Sequence, residues 1–188
     1  MPGSDHVSWG SPAVPRVVVQ FIPLSRKSRH AIMLHRSAAV RSAGNCWSFP
    51  SGLQEVGETI EQTIVREMKE ELNLTVDTAN DKYYPLGHYE NIAGDPHGAN
   101  QYHWVILMIA VSVESFDTFK NNEEDKHDVV EYVHIDKLCD TNSLTRDFTM
   151  HSTLRGWLRS SEDAMFQMVV QFNRDAAALS ARGRFTVQ

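Results

Sequence analysis

Two periods of apolar residues alternate along the chain. Residues 17–24 (VVVQFIPL) are apolar and β-branched, which predicts a buried strand. A polar turn at 25–29 leads to a second strand over 30–35 (HAIMLH). Residues 37–45 are loop-like. A short aromatic stretch, 46–49, then precedes the turn signal Pro50-Ser51-Gly52. From about Glu58 to Leu72 the period changes. Ile60, Ile64, Met68 and Leu72 recur every four residues, the signature of an amphipathic helix. Further strands are predicted over 86–92, 102–113 and 129–135, separated by a loop at 92–101 and a charged loop at 121–128. Beyond Asp136 the pattern turns helical and ends in a long stretch from about Ser161 to Ser180. Ser160–Asp163 supplies a helix-start signal there. In that last helix Met165, Val169, Phe172 and Ala176 form a stripe suited to the sheet or to a second subunit, which leaves a homodimer open. Strands on both sides of a central helix, with a helical C-terminal part, predict an α/β or α+β fold with a mixed sheet between helices.

Composition narrows the class. The chain has 188 residues, 41% of them hydrophobic and 22% charged, which suits one domain with one sizeable core. Residues 16–188 are expected to form it, after a mobile Gly/Ser/Pro-rich tail at 1–15. No apolar run approaches the ~18–20 residues of a membrane helix. The first residues lack the basic-then-apolar pattern of a secretory signal, and Asp5 with no Lys or Arg before Arg16 argues against a transit peptide. Two cysteines, Cys46 and Cys139, make no disulfide framework, so an intracellular, reducing location such as the cytoplasm is expected. A net charge of −6 argues against a nucleic-acid coat protein. It leaves room for a small phosphorylated substrate, because a divalent cation reverses the local field.

The candidate chemistry lies in residues 52–74, GLQEVGETIEQTIVREMKEELNL. Glu67, Glu70 and Glu71 stand at i, i+3 and i+4, so on a helix they share one face, beside the apolar stripe. Like charges at i,i+4, as in Glu67 and Glu71, cost about 0.2–0.5 kcal/mol, and Arg66 offsets part of this by pairing with Glu70. A cost that small does not by itself distinguish a solvated acidic face from a functional one.

The wider spacing does. Gly52, five residues, Glu58, seven residues and then Arg66-Glu67-Met68-Lys69-Glu70-Glu71-Leu72-Asn73-Leu74 resembles the Nudix box. Its six fixed residues Gly52, Glu58, Arg66, Glu67, Glu70 and Glu71 match, as do the hydrophobic slots Met68 and Leu74. Six such matches arise by chance about once in 10⁷ start positions. The box's closing Gly is Asn73 here. That Gly serves as a left-handed helix cap, and Asn is the next-best residue for the role.

The resemblance implies a Nudix-like α/β/α sandwich with a loop–helix–loop box. It implies hydrolysis of the diphosphate linkage of a nucleoside diphosphate derivative, giving a nucleoside monophosphate and a phosphorylated remainder. Glu67 and Glu71 would be the principal ligands of Mg²⁺ or Mn²⁺. Glu70 would be a third ligand or the base that positions water. A backbone carbonyl near Ser51 and Gly52 would complete the coordination, with Gly52 permitting close approach. Arg66, partnered by Glu58, would orient the carboxylates. Hard cations take oxygen ligands, which suits this residue set. A further acidic group is expected from the 121–128 loop, where Glu123, Glu124, Asp125 and Asp128 are candidates in the order Asp125, then Glu124.

Weaker features surround the box. His97 and His103 flank or lie near a glycine-bearing loop at 94–98 and suit surface positions or phosphate contact. Trp47, Tyr89, Tyr102 and Trp104 suit the core or stacking on a base. Cys46 has no partner spacing for a nucleophile. The expected substrate is a small nucleotide. Capped or triphosphorylated RNA is the rival, disfavoured because no basic stripe accompanies Arg26, Lys27 and Arg29. The alternative function is a catalytically weak binding module on the same fold, holding RNA ends or a protein partner.

Overall fold

Alternation along the first strand decides the layering. In β1 (Arg16–Ser25), Val19 and Phe21 point to one side while Ile22 and Leu24 point to the other, and all four are buried. A strand apolar on both faces needs cover on both. The computed structural model, which describes residues 14–40, 43–93 and 102–183, supplies that cover. The other strands are β2 (His30–Arg36), β3 (Trp47–Ser48), β4 (Ser51–Leu53), β5 (Tyr83–Ala93), β6 (Tyr102–Val113) and β7 (His127–His134). The helices are α1 (Ile60–Leu72), a 3₁₀ turn (Ile135–Cys139), α2 (Thr141–Asp147), α3 (Ser152–Ser160) and α4 (Glu162–Gly183). Seven strands form one mixed sheet in the order β3-β2-β1-β6-β5, with β4 on β1 and β7 on β2. β1 and β6 run parallel, and the other pairs are antiparallel. The mixed α+β sandwich expected from the sequence is the observed fold.

One face of the sheet packs Val19, Phe21, Ile32 and Leu34 against Ile64, Met68 and Leu72 of α1. The opposite face packs Met33, Tyr84, Leu86 and Met108 against the 3₁₀ turn and α2 to α4. The stripe of α4 belongs to this second core. Met165, Val169 and Phe172 are buried within the chain itself and need no second subunit to cover them.

Several boundaries differ from expectation. β5 begins at Tyr83 rather than Leu86. Pro85 is tolerated because β5 is an edge strand whose register shifts between Pro85 and Gly87. β7 begins at His127, taking two residues from the charged loop to pair with β2. α1 begins at Ile60, because Thr59 caps it: the Thr59 hydroxyl accepts from Gln62 N–H and the Gln62 side chain accepts from Thr59 N–H. Most of the tail expected at 1–15 and the 94–98 loop with His97 lie outside the described residues. Among the described residues no helix is long and apolar enough to cross a membrane.

The sheet forks beside the box. β1 and β2 pair at Leu24 and Ala31, then part. β2 takes β3 as its partner, through Leu34 with Ser48 and His35 with Trp47. β1 takes β4, through Val18 with Leu53, Val19 with Gly52 and Gln20 with Ser51. The segment Phe49–Pro50 crosses from one arm to the other.

Candidate active site

The box folds as loop, helix and loop around one guanidinium. Arg66 Nε and Nη2 donate to the two oxygens of Glu58 at 2.7 and 3.0 Å. Nη1 donates to Glu67 Oε1 and, at 3.2 Å, to Glu70 Oε2, while Nη2 also reaches the Leu53 carbonyl at 3.0 Å. An arginine has five N–H donors, and all five are engaged. Arg66 thus ties the loop before the helix to three carboxylates. Glu58 also accepts from Glu55 N–H and the Thr63 hydroxyl. These partners, Arg66 foremost, hold its carboxyl down at about 2.

Glu67 and Glu71 lie one turn apart and face the sheet, 9% and 7% exposed. Burial pushes the Glu67 carboxyl above its ordinary range even though Arg66 pulls it down. Glu71 is pushed up to about 8, first by burial and then by the nearby charges of Glu123 and Glu67; Ser51 N–H, donating to Glu71 Oε2 at 3.3 Å, works against this. Glu70 sits at the exposed rim. Gly52 lies so close to Glu67 that a Cβ at this position would fall on the carboxylate.

The C-terminal end of α1 places another acid. Asn73 adopts the left-handed conformation, φ 54° and ψ 25°, as expected of a replacement for Gly. Its own side chain also accepts from Lys69 Nζ and donates to the Thr118 carbonyl. The carbonyls left open at the helix end are then met one by one. Asn73 N–H donates to Lys69 O, the Asn122 side chain to Glu70 O, Asn122 N–H to Glu71 O and Lys120 N–H to Leu72 O. This docking brings the charge of Glu123 near enough to act on Glu71. One Glu123 oxygen pairs with Lys126 at 2.5 Å, and the other is buried without a partner. Glu124, Asp125 and Asp128 are exposed. The order expected from the sequence, Asp125 then Glu124, is therefore not the order of approach, because the capping bonds fix the loop at residue 122.

The charge of Glu123 adds to burial in raising the proton affinity of Glu67 and Glu71, and the charge of Glu67 adds further to that of Glu71. Among the described residues no three acidic, imidazole or thiol groups are gathered as a metal-binding set, and Arg66 holds Glu67 and Glu70. The donor set is all carboxylate oxygen, which fits a hard divalent cation.

A cavity of about 190 Å³ opens on the opposite face of the sheet and meets the box at Ser51. Trp47, Tyr89, Asn91 and Trp104 line it, with Gln20 in its floor. The strand register explains the grouping: Asn91 pairs with Trp104, and Tyr89 with Ile106, which pairs with Val18. Trp47 and Tyr89 also pack against Phe148 and Trp157, so core and lining roles coincide in them. Tyr102 packs at a tilt beside Trp104, and His103 pairs with Glu90; neither Tyr102 nor His103 lines this cavity. Gln20, Asn91 and His151, also in the lining, carry no local motif that marks them in the sequence.

The model of the NUDIX domain matches residues 14–155. The chain belongs to the NUDIX domain family. The 8-oxo-dGTP diphosphatase of Escherichia coli (strain K12) is 39% identical over 54 residues, which are 29% of this chain and 42% of that protein. The matched part is thus under half the length of that relative. Among solved structures, the MutT protein from Methanosarcina mazei Go1 superimposes with a TM-score of 0.55 at 15% identity, covering 81% of this chain and 96% of that one. The E. coli dihydroneopterin triphosphate pyrophosphohydrolase gives 0.54 at 16% identity, covering 82% and 95%. At these identities the NUDIX chain shares a fold with them.

Proposed function

We propose that this NUDIX protein is a Mg²⁺- or Mn²⁺-dependent pyrophosphohydrolase acting on a small nucleotide. Water adds across the diphosphate bridge, and the products are a nucleoside monophosphate and a phosphorylated remainder. The observation that carries the reading is the set of Glu67, Glu70 and Glu71 on one helix face around the saturated Arg66, with Glu123 delivered beside Glu71. Glu67, Glu71, Glu70 and a carbonyl beside Gly52 would hold the cation, and the unpartnered Glu123 oxygen would join them. When bound, the cation neutralises phosphate charge and acidifies water. Glu70, at the exposed rim, or Glu123, whichever is not bound to the cation, accepts the proton from the attacking water. Arg66 and Glu58 hold the carboxylates in register. The cavity at Ser51 receives the base, with Trp47, Tyr89 and Trp104 as its aromatic walls.

The relative named as an 8-oxo-dGTP diphosphatase makes a purine nucleoside triphosphate the first substrate to try. The same reading takes residues 16–188 as one domain and places the protein in the cytoplasm, where Cys46 and Cys139 stay free thiols. The test is a hydrolysis panel with Mg²⁺ or Mn²⁺. It spans nucleoside triphosphates including 8-oxo-dGTP, nucleotide sugars, ADP-ribose, dinucleoside polyphosphates and capped RNA. Metal-dependent release of a nucleoside monophosphate from a small nucleotide supports the reading. No turnover of any member with either metal, accompanied by salt-dependent RNA binding, would replace it with the binding module.

A further inference from the structure

Gln20 is the polar break in the apolar run of β1, and it is only 4% exposed. Three hydrogen bonds hold its amide. Nε2 donates to the Ser48 hydroxyl at 2.8 Å and to the Phe49 carbonyl at 3.1 Å, and Oε1 accepts from the Tyr89 hydroxyl at 2.8 Å. The Phe49 carbonyl can only accept, so the amide has one sensible orientation.

The reason for this placement is the fork in the sheet. At Phe49–Pro50 the chain leaves β2 for β1, and Pro50 has no N–H to give to either ladder. The Pro50 carbonyl is met by Phe21 N–H at 2.9 Å. The Phe49 carbonyl is met by the Gln20 side chain and by the Ser48 hydroxyl at 3.0 Å. The next residue, Ser51, pairs with Gln20 through the backbone and points its N–H at Glu71, and Gly52 then abuts Glu67. One buried amide thus braces the crossover on which two carboxylates of the box rest. Through Tyr89 it is also tied to the wall of the cavity.

We propose that Gln20 is a positioning residue for the hydrolysis: it fixes the Ser48–Gly52 crossover so that Ser51 and Gly52 set the places of Glu71 and Glu67, and Tyr89 locks its amide. The inference rests on the hydrolytic reading above. Although Gln20 lies in the lining of the cavity, its amide is spent on Ser48, Phe49 and Tyr89, and it makes no hydrogen bond to Glu67 or Glu71. Its loss therefore disturbs the chemical step more than substrate binding, as small misplacements at reacting centres do.

The test compares the wild type with Gln20→Leu and Tyr89→Phe on the best substrate of the panel. Steady-state kinetics, thermal unfolding and Mn²⁺ affinity by calorimetry are read for each. Gln20→Leu removes all three bonds at similar volume. It should lower kcat about tenfold or more, leave KM within about threefold, and weaken Mn²⁺ binding about threefold or more. Tyr89→Phe keeps both donations of Gln20 and should give a smaller loss of the same kind. A lower unfolding midpoint with unchanged kcat and Mn²⁺ affinity at a temperature where the variant is folded would overturn the proposal, since Gln20 would then be structural only. A rise in KM with kcat unchanged would also overturn it, by placing Gln20 in substrate binding. If Gln20→Leu does not fold, Tyr89→Phe decides: unchanged kcat and Mn²⁺ affinity overturn the proposal. If the wild type turns over nothing, the hydrolytic reading fails. The Mn²⁺ comparison still judges the positioning role, and equal affinities overturn it.

Discussion

Arg66 holds its three carboxylates by geometry as much as by charge. A lysine would keep the charge but has three donors on a single nitrogen and no planar fork. Arg66→Lys should therefore fold and still lose about 10–100-fold in kcat, as loss of a partner that orients metal ligands does. Steady-state kinetics beside a thermal melt checks this. Glu71 makes a second prediction, for the metal-free protein. Its carboxyl is held at about 8 in the fold against an ordinary 4.5, so the native state binds more protons than the unfolded chain between those values. Stability should then be greatest below about pH 4.5 as far as this group is concerned, and fall as pH rises through 8. Glu71→Gln should flatten the decline and Mg²⁺ should offset it, since a cation favours the charged form. Unfolding midpoints from pH 5 to 8, with and without Mg²⁺, read both effects. Glu67, also raised by burial, adds to the same slope.

At the scale of elements, α1 is defined at both ends by side chains. Thr59 closes the start and Asn73 the end, where φ is +54°. Alanine tolerates that conformation poorly and glycine well, so Asn73→Ala should be less stable than Asn73→Gly by about 1 kcal/mol. Urea unfolding of the two variants measures the difference. The helix was legible in the sequence because its evidence is local: a four-residue apolar stripe, a glutamate cluster, and Asn at the cap. The edge of β5 was less so, since Pro85 reads as a break until the bulge beside Gly87 is seen. The place of Glu123 was not legible. It depends on Lys120 and Asn122 bonding to carbonyls of a helix some fifty residues earlier, and no local pattern separates Glu123 from Glu124 and Asp125.

In the whole molecule, the sheet brings the two halves of the site together. α1 covers one face, α2 to α4 the other, and the fork lets the acidic cluster on one face meet the cavity on the other at Ser51. Mixed-sheet architecture could be read from the order of periodic segments. The cavity could not, because its walls come from β1 to β6 and α3, which only tertiary packing assembles. The chain's net charge of −6 is no obstacle to an anionic substrate if a cation occupies the cluster. The proposed function turns on whether this cluster performs metal-dependent hydrolysis. The most direct measurement is kcat for wild type and Glu71→Gln, side by side in Mg²⁺, on the small nucleotide the wild type cleaves best. Glu71→Gln should lose at least about 100-fold while remaining folded. A folded Glu71→Gln that turns over as fast as the wild type would contradict the proposed function.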